Sequence, residues 1–285
     1  MELALTWDDT LGKDFKYNIS LNGSYNKNEV GNIPTSDGII HGAGNELYNN
    51  ASEFYRAENG QPIGYFWGYK TAGIFQNTQE IDEWRAAGNG ILQSNVQPGD
   101  VRFVDRNHDG QINDKDKVNL GNGTPDFTLG LNLGFVYKGF DFSIVANGAF
   151  GQQIVQSYRN HTRPTPNYTT AILDRWHGEG TSNRIPRVTD SNINYQFSDL
   201  FIQNGDYLRL STLTLGYDFA KLFKGKAVSQ ARLYFQVQNL FTITGYDGMD
   251  PEIGFGSSNN SWVSGLDYGY YPRPRTVLVG VNLKF

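Results

Sequence analysis

The sequence contains no cysteine, which excludes disulfides and thiol chemistry. Nowhere does it reach the run of about 18 apolar residues that a membrane helix needs. Its first residues, MELALTWDDT, lack the basic and apolar regions of a signal peptide. Methionine is scarce, at 2 residues, and strong helix-forming runs are few. The 24 basic residues are outnumbered by 29 acidic ones and form no stripe, so nucleic acid is not expected as a partner. Catalytic signatures are missing too: there is no H-E-x-x-H, no G-x-S-x-G and no phosphate-cradling glycine loop. His41, His108, His161 and His177 are scattered and read as exposed loop residues. Asp247, Asp250 and Glu252 read as a solvated loop in preference to an acid pair. No enzyme is expected.

What is present favours strands. Aromatic residues make up 14% of the chain and glycines number 33, a mixture suited to strands joined by turns. Seven segments alternate with period two. Leu3, Leu5 and Trp7 form a first, partial one; Phe15, Tyr17, Ile19, Leu21 and Tyr25 form the next. Phe127 to Tyr137 and Phe140 to Ala146 follow, separated by a short turn at Lys138 and Gly139. Leu213 to Phe219, Leu233 to Phe241 and Val277 to Phe285 complete the set. Intervening residues such as Lys16, Asn18, Ser20, Asn22 and Ser24 are polar throughout.

Such alternation fits a soluble sandwich with the apolar face as core, or a barrel with that face in lipid. Two features favour the barrel. Aromatic residues recur near strand ends, as interfacial girdles do, and connection lengths alternate between short and long. The short connections are Asp8 to Asp14, Lys138 to Gly139 and Ala220 to Gln230; the long ones are Lys27 to Asp126, Gln152 to Asp206 and Gly245 to Pro272. A mean hydropathy of -0.50 is compatible with a barrel, which shows lipid only every second residue. The expected fold is all-β, an antiparallel transmembrane β-barrel with long extracellular loops, here about seven strands of a larger barrel. Single-chain bacterial barrels have even strand numbers, so the chain is expected to be incomplete at its N-terminus.

The sharpest local motif is DRNHDGQINDKD, residues 105–116. Asp105, Asn107, Asp109, Gln111, Asn113 and Asp116 stand at positions one, three, five, seven, nine and twelve of a calcium loop. Calcium takes about six to eight oxygens, and this spacing supplies carboxylates, amides and the Gln111 carbonyl. Gly110 permits the sharp turn, and Ile112 can anchor the loop to whatever packs beneath it. Asp116 replaces the usual bidentate Glu, which points to weak binding, roughly 10⁻⁴ to 10⁻³ M, of a structural ion. The alternative is an Asp/Asn/Gly turn that caps its own backbone. Ala171 to Trp176 reads as a short loop helix, with Arg159, Arg163, Arg184 and Arg187 around it.

Several ordered motifs then resemble one family. PGDVRFVDRNHDGQINDKDKVNLGNGTPDFTLGLNLGFVYKGFDFSIVANGAFGQQI, GYFWGYKTAGIFQN, YLRLSTLTLGYDF, LYFQVQNLFTITGYDGMDPE and YPRPRTVLVGVNLKF are together similar to SusC/RagA-type TonB-dependent outer-membrane transporters. The resemblance covers nearly all of residues 1–285 and implies their C-terminal barrel portion. It implies a barrel of about 22 strands in the outer membrane of a Gram-negative, Bacteroidetes-type bacterium, closed by a plug domain that is absent here. It also implies import of oligosaccharides or peptides, a SusD-like surface lipoprotein as partner, and TonB contact through the missing N-terminal part.

Within that frame Trp67, Tyr69, Trp176, Trp262 and Tyr270 are candidates to stack on substrate, or to pack loops together. Val277, Val279, Val281, Leu283 and Phe285 resemble the signal read by the outer-membrane assembly machinery, or are simply a last strand. The competing function is a secreted, soluble, calcium-stabilised β-sandwich binding module.

Overall fold

The computed structural model describes residues 1–47, 51–157, 169–189, 192–220, 228–254 and 261–285. In chain order its strands begin with β1 (Glu2–Leu11), β2 (Phe15–Tyr25), β3 (Ile39–His41), β4 (Tyr55–Glu58), β5 (Tyr65–Gly68) and β6 (Thr71–Ile74). Helix α1 (Thr78–Ala86) follows, then β7 (Val101–Phe103), β8 (Val118–Asn122), β9 (Phe127–Tyr137), β10 (Phe140–Phe150) and β11 (Gln153–Gln156). The last are β12 (Ile202–Asn204), β13 (Tyr207–Asp218), β14 (Gln230–Thr244), β15 (Leu266–Asp267) and β16 (Thr276–Lys284).

The seven alternating segments are the seven strands of one sheet, in the order β1-β2-β9-β10-β13-β14-β16. Every pairing in it is antiparallel. Register aligns the apolar positions from strand to strand. Trp7, Ile19, Leu133, Ile144, Leu213, Val237 and Val277 form one continuous row across the sheet. One residue along, on the opposite face, lies the row Thr6, Ser20, Asn132, Val145, Thr212, Gln238 and Thr276, polar at every strand but one. Because strand side chains alternate faces, these two rows belong to opposite sides of one layer.

The apolar side is bare. Trp7 is 62% exposed, Leu215 48%, Phe235 41% and Val279 71%. In a soluble sandwich this face would be the core, and the sandwich alternative fails on that point. An uncovered apolar face this wide on a single sheet calls for a large apolar partner surface, and lipid against a barrel wall is one that fits it. Aromatic rings concentrate at both ends. Phe15, Tyr137, Phe140 and Tyr217 share one row near the short turns, with Phe140 and Tyr217 centroids 4.4 Å apart. Tyr25, Phe127 and Phe150 share a row at the far end. The 11 residues of β9 reach about 36 Å extended, or about 25 Å when tilted about 45°, the height of a barrel's apolar band.

The strands meander, so the short connections gather at one end and the long ones at the other. β1 runs to Leu11, which shortens the first connection to residues 12–14. Between β9 and β10, Lys138 (φ 47°) and Gly139 (φ 94°) both adopt left-handed backbone, the two-residue turn whose twist matches antiparallel strands. The long connections span residues 26–126, 151–206 and 245–275. They fold together. Phe54, Tyr55, Phe66 and Leu120 of the first, Val155 and Phe197 of the second, and Val263 and Leu266 of the third form one buried cluster. The three smaller sheets, β12-β11-β15, β3-β4-β5-β8 and β6-β7, all lie within these connections.

Candidate functional site

The body built by the long connections holds the site-forming residues. Its scaffold includes a buried network centred on Asp100, which is 1% exposed. Arg187 Nε and Asn194 Nδ2 each donate to Asp100 Oδ1 at 2.7 Å, and the Gln97 N–H donates to Oδ2 at 2.9 Å. Asn194 Oδ1 in turn accepts from the Val101 N–H and from Gln93 Nε2, both at 3.0 Å. One carboxylate thereby joins the first long connection to the second. Gly99, at φ +93°, lies so close to Trp176 that a Cβ would come within 2.4 Å of the ring. The Pro-Gly-Asp triplet therefore combines a backbone conformation that favours glycine, a close approach to an indole and a buried anion.

An open cleft of about 690 Å³ lies on the β4–β5–β8 sheet, lined among others by Arg56, Glu58, Tyr65, Trp67, Arg106 and Lys117. The Arg56 guanidinium lies 3.3 Å from the Trp67 ring centroid and Lys117 Nζ lies 4.2 Å from it. Cations that close to an indole are attracted by its quadrupole. Arg56 is also paired with Glu53, and Lys117 with Asp114 at 2.9 Å. Tyr65 donates to Glu58, and burial, reinforced by that carboxylate, pushes its phenol well above the usual range. Aromatic surface flanked by charges of both signs can stack on a flat ring and meet polar groups around it.

The other aromatic candidates are dispersed. Tyr69 is 5% exposed, packs 5.5 Å from Phe103, and is pushed up to about 12 chiefly by burial. Trp176 donates from Nε1 to Gln76 Oε1 at 3.1 Å. Trp262 lies 5.3 Å from Tyr55 against the buried cluster. Tyr270 is 46% exposed beside Tyr268. Trp67 alone of the five lines the cleft. Thr170–Asp174 forms a 3₁₀ turn where a short helix is expected. Arg187 of the basic group there is committed to Asp100, whereas Arg159 and Arg163 lie outside the described residues, as does His161. Asp250 and Glu252 hold Arg209, which is 3% exposed, and Glu252 also meets Arg273 at 3.1 Å. These carboxylates neutralise a buried cation and form no free acid pair. Val277, Val279, Val281 and Leu283 lie on the bare apolar side of β16, and Phe285 beyond it is 84% exposed.

The Asp105–Asp116 loop connects β7 to β8. Ile112 joins Tyr69, Val101 and Phe103 in a second buried cluster, so it anchors the loop as its position suggests. Asp105 and Asp116 are both 0% exposed. Asp116 accepts the Arg106 N–H on Oδ1 and the Asn113 N–H on Oδ2, both at 2.9 Å, and Asn113 accepts from the Lys115 N–H at 3.0 Å. Asn107 and Asp109 accept the N–H groups two residues ahead of them. Among the described residues no three His, Cys, Asp or Glu side chains are grouped to hold a metal ion. The loop's oxygen set is mixed, with amide and backbone oxygens between the carboxylates.

No protein-family model matches the chain. TonB-dependent receptor P3 of Formosa agariphila is 31% identical over 296 residues, an alignment that covers 100% of this chain and 28% of that protein. TonB-dependent receptor SusC of Bacteroides thetaiotaomicron is 28% identical over 288 residues, covering 100% and 26%. The solved structure of the RagAB peptide transporter superposes with a TM-score of 0.70 at 20% identity, covering 100% of this chain and 29% of that one. The chain thus spans under a third of the length of these relatives. Sequence similarity along the whole of this chain and the shared fold agree: the chain is similar throughout to one part of the TonB-dependent receptors, SusC among them, and folds like the corresponding part of the RagAB transporter.

Proposed function

We propose that this chain forms part of the barrel of an outer-membrane importer that takes up oligosaccharides or peptides with energy delivered through TonB. The bare apolar face of the seven-stranded sheet, backed by a polar face, carries the reading. That arrangement suits a wall between lipid and a wet lumen. The body built by the long connections stands at the extracellular mouth, and its Trp67 cleft contributes to cargo contact. A surface lipoprotein of the SusD type seats on that mouth. The apolar row of β16 serves recognition by the assembly machinery.

The test uses the intact receptor in its own bacterium. Fractionation should place it in the outer membrane, extractable only with detergent, with a surface lipoprotein co-purifying. Uptake of a labelled oligosaccharide pool and a labelled peptide pool should each be compared in wild-type, receptor-deleted and TonB-deleted cells. Loss of one uptake in both deletions names the cargo class. Recovery as a soluble monomer without detergent, or uptake of both pools unchanged in the deletions, would sink the reading.

A further inference from the structure

We propose that the Asp105–Asp116 loop is a calcium site that clamps the β7–β8 connection onto the core of the long-connection body. The second observation beyond the motif is a buried, half-used carboxylate. Asp105 Oδ2 accepts the N–H groups of Gly90 and Gly110, each at 2.9 Å. Asp105 Oδ1 is equally buried and has no hydrogen-bond partner in the protein. A buried carboxylate oxygen left without a donor bears its desolvation cost uncompensated. A cation removes that cost. The side chain is thus fixed through one oxygen while the other is held available.

The surrounding groups select the ion. Asn107, Asp109 and the Gln111 carbonyl supply only oxygen, from an exposed stretch that Gly110, at φ +80°, turns sharply. An irregular, adjustable oxygen set suits calcium, which accepts about six to eight oxygens, and not magnesium, which demands a near-ideal octahedron. Asp116 and Asn113 have a different task. Their reciprocal capping bonds tie the two ends of the loop together, so they position the ligands, and water completes the shell. Ile112 on one side and Asp105 on the other are buried; calcium therefore orders the exposed residues between two fixed points. The inference is independent of cargo and of import.

Trp84 gives a direct readout. Its Nε1 donates to the Gly90 carbonyl at 3.1 Å, and the Gly90 N–H donates to Asp105. Terbium added to the intact receptor in detergent should luminesce when tryptophan is excited, and the signal should fall in Trp84→Phe. Calcium should displace it with half-saturation in the range of about 10⁻⁴ to 10⁻³ M. Asp105→Asn keeps an oxygen for the two N–H bonds and removes the free one; it should weaken binding about 10–100-fold. Asn107→Ala, an exposed change that leaves the buried bonds intact, should weaken it too. Trypsin cleavage after Arg106 and Lys115 should rise when calcium is chelated, with the barrel still folded by its electrophoretic mobility. A terbium signal that calcium does not displace, or one retained in both variants, overturns the site. So does loss in Asp105→Asn alone with wild-type binding in Asn107→Ala, because Asp105 would then matter only to the fold of the loop.

Discussion

His41 stands between two carboxylates, with Nδ1 2.8 Å from Glu53 and Nε2 3.2 Å from Asp37. The Glu53 hydrogen bond, then the Asp37 one, raise the imidazole above its ordinary 6.5, and the same contact lowers Asp37 below 3.8. For the raised histidine, the stabilisation is fully present below pH 6.5 and fades as pH climbs through the higher folded value. For the lowered Asp37, it is present above pH 3.8 and fades as pH falls through the lower folded value. The pairing of β3 with β4, in which His41 faces Arg56, should be best protected at about pH 5–6. Amide exchange in β3, corrected for intrinsic rates, should quicken from about pH 6 to pH 9. His41→Gln should remove that dependence. Because the pair is largely exposed the effect is modest, and equal protection at both pH values in the wild type would refute it.

At the scale of elements, the β9–β10 turn gives the clearest case. Gly139 has φ 94°, and a Cβ there would lie 3.3 Å from the Asp218 carbonyl oxygen. Gly139→Ala should destabilise the hairpin by about 1–2 kcal/mol. Lys138→Asn, at φ 47°, should be neutral or slightly stabilising, since Asn tolerates left-handed backbone. Urea midpoints of the receptor in lipid vesicles would measure both. All seven strands of the large sheet were legible because each carries several periods of alternation. Where the reading fell short, a bulge was responsible. Leu208 and Leu210 share a face with Leu213 and Leu215 only because the register shifts between Leu210 and Thr212, so simple alternation begins at Leu213 and misses the start of β13. Opposite the bulge, Asn239 adopts φ 52°. The short strands β3 to β8, β11, β12 and β15 were not legible, being two to five residues long and too short to show a period. Helix α1 did leave a signal, Asn77 followed by Glu80, where the Asn77 side chain accepts the Glu80 N–H at 3.0 Å. The loop at Asp105 was visible from spacing alone. The Asp100 network was not, since its partners lie 87 and 94 residues away.

For the whole molecule, the question is which solvent meets each face, and neighbouring residues on one strand can answer it. Ile19 lies mid-strand on the apolar side and is 37% exposed, while Ser20 beside it faces the polar side. If water covered both faces, arginine at a position already that exposed would cost little. Lipid changes the ranking. Ile19→Arg should cost about 2–4 kcal/mol near the bilayer midplane, whereas the same charge near the interface costs about 0–1. Leu11, on the same side but in the aromatic row at the short turns, is 58% exposed and tests that second value as Leu11→Arg. Ser20→Arg should fold close to wild type, because a long cation on the lumen side reaches water. The measurement is the free energy of folding of each variant receptor into lipid vesicles, from reversible urea titrations. Equal costs for Ile19→Arg and Leu11→Arg would remove the membrane from the argument, since depth dependence within one face has no counterpart in a soluble sheet.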